Sequence, residues 1–341
     1  MNRLGSMERD RAHSSSVLIP PGISDADRLS RFRAKRAEWF ELFGSDKSEV
    51  VSIEKQLINA VVLDLNYRVF VKESARHAKG EGYALPSLLY LLNVGYVTSQ
   101  VLVARRLLDT RGDVASLSRI LKDIKKNKGL ITRENFICYD GTVYDPDIHK
   151  AIQNDEQKLQ HTIFGLHAPG FSSHLRSYNR HKRFDSLSGK TETDRSRTDV
   201  IHENIFATLK RWLESPEAIR LKQISDNRFA HASDGSNATF KDSSNDLALL
   251  EVELAQRGFV RSSRAIFDVL LNSEIHAEVA PMIPLGSFGT VWKGSNLIPS
   301  TSRMQKDWDE LANNRNSWGQ GVDDQLFSES FATQGRQEPG R

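Results

Sequence analysis

The sequence predicts an all-α protein, and three observations predict it. Apolar residues recur at three- and four-residue intervals through long stretches, as they do on a helix face turned to a core. Helix-start signals open several of these stretches: Ser24 with Asp27, then Pro86, Pro146 and Ser215-Pro216. Turn-forming clusters separate them, at Gly44-Ser45-Asp46, Gly80-Glu81-Gly82 and Gly112-Asp113. The architecture expected is a bundle of long antiparallel helices with disordered ends.

Residues 1–23 lack apolar periodicity, close in Pro20-Pro21-Gly22, and read as a disordered tail. A helical domain is expected over 24–272. Its first helix runs to about Phe43, with Leu29, Phe32, Ala37, Phe40 and Phe43 at helical spacing. The second runs from about Ser48 to Ala78 and carries Ile53, Leu57, Val61, Leu65 and Val69 on one side. The third runs from Pro86 to about Asp109, and a short one follows at Ser116–Lys128 with a basic end. Residues 130–145 read as irregular, with a short strand at Phe136–Tyr139, and Pro146 begins a helix to about Phe164. Residues 171–197 read as a basic loop insertion. Beyond it, Ile201, Ile205, Leu209 and Leu213 mark one helix, and Ser215-Pro216-Glu217 starts the next, which ends in Ser225–Ser233. Ser244–Leu271 is the last long helix. Residues 273–300 read as a linker-like extension, and 301–341 as a polar tail with a short helix near Met304–Ala312.

Length allows about two domains. A net charge of +3 does not mark a general nucleic-acid binder, so any such role needs a local patch. The single cysteine, Cys138, excludes an intramolecular disulfide framework and cysteine-rich zinc sites, and suits a reducing, cytoplasmic setting. No paired histidine spacing suggests a metal site, and no cofactor is implied. The opening residues lack a secretory signal. Ala84–Ala104 holds no charged residue and has the length of a bilayer crossing, but its Pro, Asn, Gly, Ser, Thr and Gln suit a helix buried all round in a soluble core. Leu285–Gly294 resembles the glycine-rich loop of protein kinases. It lacks that loop's first glycine, and no H-R-D or D-F-G follows, which excludes a kinase.

Two stretches carry candidate chemistry. In Ser225–Ser233, Asn227 and Arg228 lie within one helical turn of His231, and Arg220 lies on the same stripe further back. An imidazole beside fixed cations suits phosphate handling. In Phe171–Arg197, the residues Arg176, Arg180, His181, Lys182 and Arg183 alternate with Tyr178 and Phe184. Basic side chains neutralise phosphates and aromatic rings stack on unpaired bases, so this segment is the candidate nucleic-acid contact.

Val103-Ala104-Arg105-Arg106-Leu107-Leu108-Asp109, followed by Ser116-Leu117-Ser118-Arg119-Ile120-Leu121, resembles the HEPN-like domain of abortive-infection (AbiU-type) phage-defence proteins. Asp226-Asn227-Arg228-Phe229-Ala230-His231 resembles that group's late-helix motif ending in Ala-His. The likeness spans roughly residues 30–270. It implies an all-helical fold, a homodimer, and a metal-independent ribonuclease signature in which Asn227 and His231 take the Asn and His positions. Asp226 stands where the signature has arginine, and Ser233 where a tyrosine often follows the histidine. The expectation is an RNA endonuclease of toxin or phage-defence type, with an antitoxin or defence partner protein. In it His231 acts as acid or base, Arg228 or Arg220 stabilises the phosphorane, and Asn227 orients the phosphate. The alternatives are a catalytically inactive HEPN-like module that binds RNA or protein, and a helical scaffold or dimerisation protein.

Overall fold

The computed structural model describes residues 25–44, 52–78, 86–153, 171–227, 247–273, 279–281 and 301–332. It is predominantly helical, as expected. Eleven helices are named here in chain order: α1 Asp25–Phe43, α2 Ile53–Ala78, α3 Pro86–Leu107, α4 Leu117–Lys126, α5 Arg133–Cys138, α6 Phe171–Ser188, α7 Glu203–Leu213, α8 Pro216–Ser225, α9 Leu249–Arg264, α10 Thr301–Ser317 and α11 Val322–Phe331. The extended pairing among the described residues is a lone antiparallel bridge between Thr132 and Val200. No described helix is long and apolar enough to cross a membrane.

The chain divides into two compact units, one of residues 1–38 and 122–203, the other of residues 39–121 and 204–341. The larger unit is built on the stripe of α2. Val61, Leu65 and Val69 pack with Val260 of α9 and with Met304, Trp308 and Ala312 of α10. These positions recur every four residues on α2 and on α10, so the same spacing that makes a helix amphipathic makes its core.

Inside this unit the buried carboxylate of Asp64 is held on several sides. Arg68 Nε donates to it at 2.9 Å, the Tyr96 hydroxyl at 2.7 Å and Arg315 Nη2 at 3.1 Å. Burial beside Asp64 pushes the Tyr96 hydroxyl far above its ordinary pKa, so it stays a donor. A charge in a core is tolerated only when it is paired this completely.

Three expectations need correction here. The polar C-terminal tail is two helices in the core: Trp308 and Leu326 are fully buried. α11 is also anchored by hydrogen bonds, from Asn204 to the Ser330 carbonyl at 3.0 Å and from Trp212 to Glu329 at 2.8 Å. Its average composition is polar, but a narrow apolar stripe is enough to dock a helix. The linker-like extension likewise buries Val279 and Ala280, and Asn316 brackets Ala280 through both of its backbone groups, at 3.0 and 3.1 Å. The third helix is not buried all round: Tyr90 and Leu91 are 67% and 65% exposed, while Tyr96, Val101 and Leu107 are buried.

The smaller unit is held together by buried arginines. Arg133 is fully buried; it donates to Asp185 at 2.6 Å and to Asp199 at 2.9 and 3.0 Å. Arg195 also reaches Asp185 at 2.6 Å, and Phe136 packs on Phe184 with ring centroids 5.2 Å apart. The short strand expected at Phe136–Tyr139 is helix α5, started by Thr132, whose hydroxyl accepts from the Asn135 amide. The basic loop insertion is largely helix α6. Ser177, Arg180, His181, Phe184, Leu187 and Ser188 form its buried stripe. That stripe has helical period, but its polar members hide it from any search for apolar spacing. The tail 1–23, and most of the helix expected at 146–164, lie outside the described residues.

Candidate functional site

α8 is positioned from its first residue. The Ser215 hydroxyl accepts from the Ala218 amide and Pro216 fills the first turn, where its missing N–H costs nothing. Ala218, Leu221, Ile224 and Ser225 are buried. The stripe they form leaves Arg220, Asp226 and Asn227 at the margin, and the helix packs against α3 and α9.

At its end stand Asp226, half exposed, and Asn227, exposed. The Asp226 carboxylate lies 3.0 Å from Nε of Arg105, near the end of α3. Arg220 pairs with Glu251 in the first turn of α9. Arg106, next to Arg105, is exposed. The guanidinium of Arg105 therefore reaches the end of α8 from another helix, while Arg220, within α8, is turned to α9; each has a carboxylate partner. Arg228 and His231 lie outside the described residues.

The second stretch behind the sequence resemblance has a local structural task. The Ser116 hydroxyl accepts from the Arg119 amide at 3.0 Å and donates to the Asp109 carbonyl, so it caps α4 and ties it to the end of α3.

In the smaller unit the five expected nucleic-acid contacts separate. Arg176 and Lys182 are exposed, and Arg183 is half buried. Arg180 is 6% exposed and His181 is fully buried, so these two face the interior, not a ligand. Arg180 donates to both oxygens of Asp140, at 2.9 and 2.7 Å, and to the Ile137 carbonyl at 2.8 Å. It holds the Asp140 carboxyl well below its usual range. The His181 ring lies 5.3 Å from the Tyr144 ring, and neither of its nitrogens has a hydrogen-bond partner among the described residues. Burial, with Arg195 and Arg133 nearby, lowers it to about 4.

Among the described residues no three His, Cys, Asp or Glu side chains converge as a metal site. Fold and site together describe a two-unit helical protein with an arginine–carboxylate pair at the end of one helix. No protein-family model, curated protein or solved structure matches the chain.

Arg105 is the residue that motif reading did not connect to this helix end. It lies within the stretch resembling the HEPN-like group, but nothing in linear spacing ties residue 105 to residue 226.

Proposed function

We propose that this chain is a HEPN-like protein acting on RNA as a metal-independent endonuclease of toxin or phage-defence type, with the guanidinium supplied by Arg105. The supporting observation is the 3.0 Å pairing of Arg105 with Asp226, the residue that occupies the arginine position of the signature. That pairing engages Nε, one of the five N–H donors on the planar fork. The fork thereby brings positive charge to the residue before Asn227.

In this reading the ribose 2′-oxygen attacks the adjacent phosphorus. A phosphorus–O2′ bond forms, the phosphorus–O5′ bond breaks, and a proton passes from the 2′-hydroxyl to the departing 5′-oxygen. His231 takes or gives that proton. Arg105 and Asn227 steady the charge on the phosphorane. A homodimer and an antitoxin or defence partner belong to the same proposal.

The test is cleavage of a labelled single-stranded RNA by the purified full chain in the presence of a chelator. His231→Ala is expected to slow cleavage by about a hundredfold or more, and Arg105→Ala by a similar factor. Unchanged cleavage in both variants, or cleavage only when a divalent metal is added, rejects the proposal.

A second reading is a non-catalytic RNA- or protein-binding module. It is favoured by the carboxylates on Arg105 and Arg220, which leave little net positive charge where a phosphate would sit. Under it, expression of the chain does not arrest growth and His231→Ala changes nothing.

A further inference from the structure

The charge of the chain is unevenly divided. The smaller unit holds 22 Lys and Arg against 17 Asp and Glu, a net of +5, and the larger holds 25 against 27, a net of −2. Within the smaller unit, four guanidiniums converge on the end of α5. Arg33 of α1 donates to the Tyr139 carbonyl at 2.7 Å and to the Cys138 carbonyl at 3.2 Å. One turn on, Arg36 has its guanidinium carbon 4.0 Å from the Tyr139 ring centroid, and that of Arg180 is 4.7 Å from the same centroid. Arg176 comes within 4.0 Å of Asp140.

Asp140 is the carboxylate that Arg180 and Arg176 share. The end of a helix adds a partial negative charge of about one half. Even without Arg36, the three positive charges of Arg33, Arg176 and Arg180 face that pair, so the cluster keeps a positive excess. Burial, and the like charge of Arg180, lower the pKa of Arg36. Arg33 and Arg176 are exposed, so a ligand can reach them.

We propose that this cluster is a phosphate-binding site for single-stranded RNA, in which Arg33, Arg36 and Arg176 contact the backbone and Arg180 is a positioning residue that holds Asp140 and Tyr139. A polymer is favoured over a single phosphorylated side chain because the positive excess continues beyond the cluster. On the opposite side of α6, exposed Lys182 sits 4.9 Å from the Tyr178 ring, so the charge of this helix is not confined to the cluster. This site rests on the RNA reading above for its ligand but not on cleavage.

The experiment uses the full chain and a fluorescent 2′-O-methyl RNA of roughly 12 nucleotides, which cannot undergo transesterification. Arg176→Gln alone and with Arg33→Gln is expected to weaken binding about tenfold per side chain. The slope of log affinity against log salt falls by about 0.7 for each phosphate that is no longer neutralised. Asp140→Asn removes the opposing charge and is expected to strengthen binding. Because the Arg176 side chain is exposed, its variant keeps the wild-type melting temperature.

Absent RNA binding, affinity unchanged in Arg176→Gln, or tighter binding of a phosphoserine peptide than of the RNA overturns the site. Binding that depends on Arg176 in a protein that never cleaves RNA supports the site and rejects the nuclease. Cleavage with binding indifferent to both substitutions does the reverse.

Discussion

Among the described residues the larger unit encloses one arginine, Arg315, beside a wide indole and aliphatic cluster, whereas the smaller one encloses two, Arg133 and Arg180. Trp308 is enclosed with Met304, Ala312 and the valines and leucine of α2. Arg133 is enclosed with Asp185, Asp199 and the Phe184 ring, 5.1 Å from its guanidinium carbon. An apolar core tolerates small shifts, because dispersion and water exclusion have little direction. A buried guanidinium does not, because each N–H must meet an oxygen at a set distance and angle. The smaller unit thus gains geometric definition from charge, and its many arginines leave it with the positive excess.

The largest effects should come from the centre of each core. Trp308→Ala should cost about 3–5 kcal/mol by leaving a cavity. Arg133→Met should cost a similar amount, about 3–5 kcal/mol, by leaving the Asp199 carboxylate without its guanidinium. Urea denaturation combined with amide hydrogen exchange separates the two. Protection should drop first in α2 and α10 for the former variant, and in α5 and α6 for the latter. The same pattern in both variants would erase the contrast.

An intermediate effect comes from His181, held near 4 while an ordinary histidine titrates near 6.5. Between those values the unfolded chain binds a proton that the folded chain refuses. Stability therefore rises with pH through this window and falls as the solution is acidified from about pH 6.5 to 4, by up to about 3 kcal/mol. Denaturant midpoints measured across that range should show the slope, and His181→Leu should flatten most of it. A slope untouched by that substitution would mean that other groups carry it.

The smallest effect is local to one helix start. Ser215→Ala removes the hydroxyl that caps α8 and should cost about 1 kcal/mol, read as a shift in melting temperature. No shift would show that packing alone defines where α8 begins.

Sequence legibility follows the same division. In the larger unit α2, α8 and α9 could be read from apolar spacing, and Ser215 from its place before Pro216. Met304, Trp308 and Ala312 carried the same signal, diluted by the polar residues of α10. In the smaller unit α6 read as a loop because four of the six residues in its buried stripe are polar: Ser177, Arg180, His181 and Ser188. Hydropathy counts such residues as surface, and only the packing of the unit around them makes them interior. At the end of α8, Asp226 and Asn227 could be read as helix-end neighbours, whereas the approach of Arg105 could not, since its link to Asp226 runs between α3 and α8.

The sequence by itself determined that the chain is helical, where α1, α3, α4 and α8 begin, and which residues of α2 face inward. Local propensity and the 3.6-residue period are properties of neighbours along the chain, so they can be read there. Only the tertiary structure decided that Arg133 and Arg180 are interior, that Arg105 meets Asp226, and that Arg33, Arg36 and Arg176 gather about Tyr139. Those arrangements depend on which carboxylates and carbonyls distant segments bring within about 3 Å of each guanidinium, and no spacing within one segment encodes that.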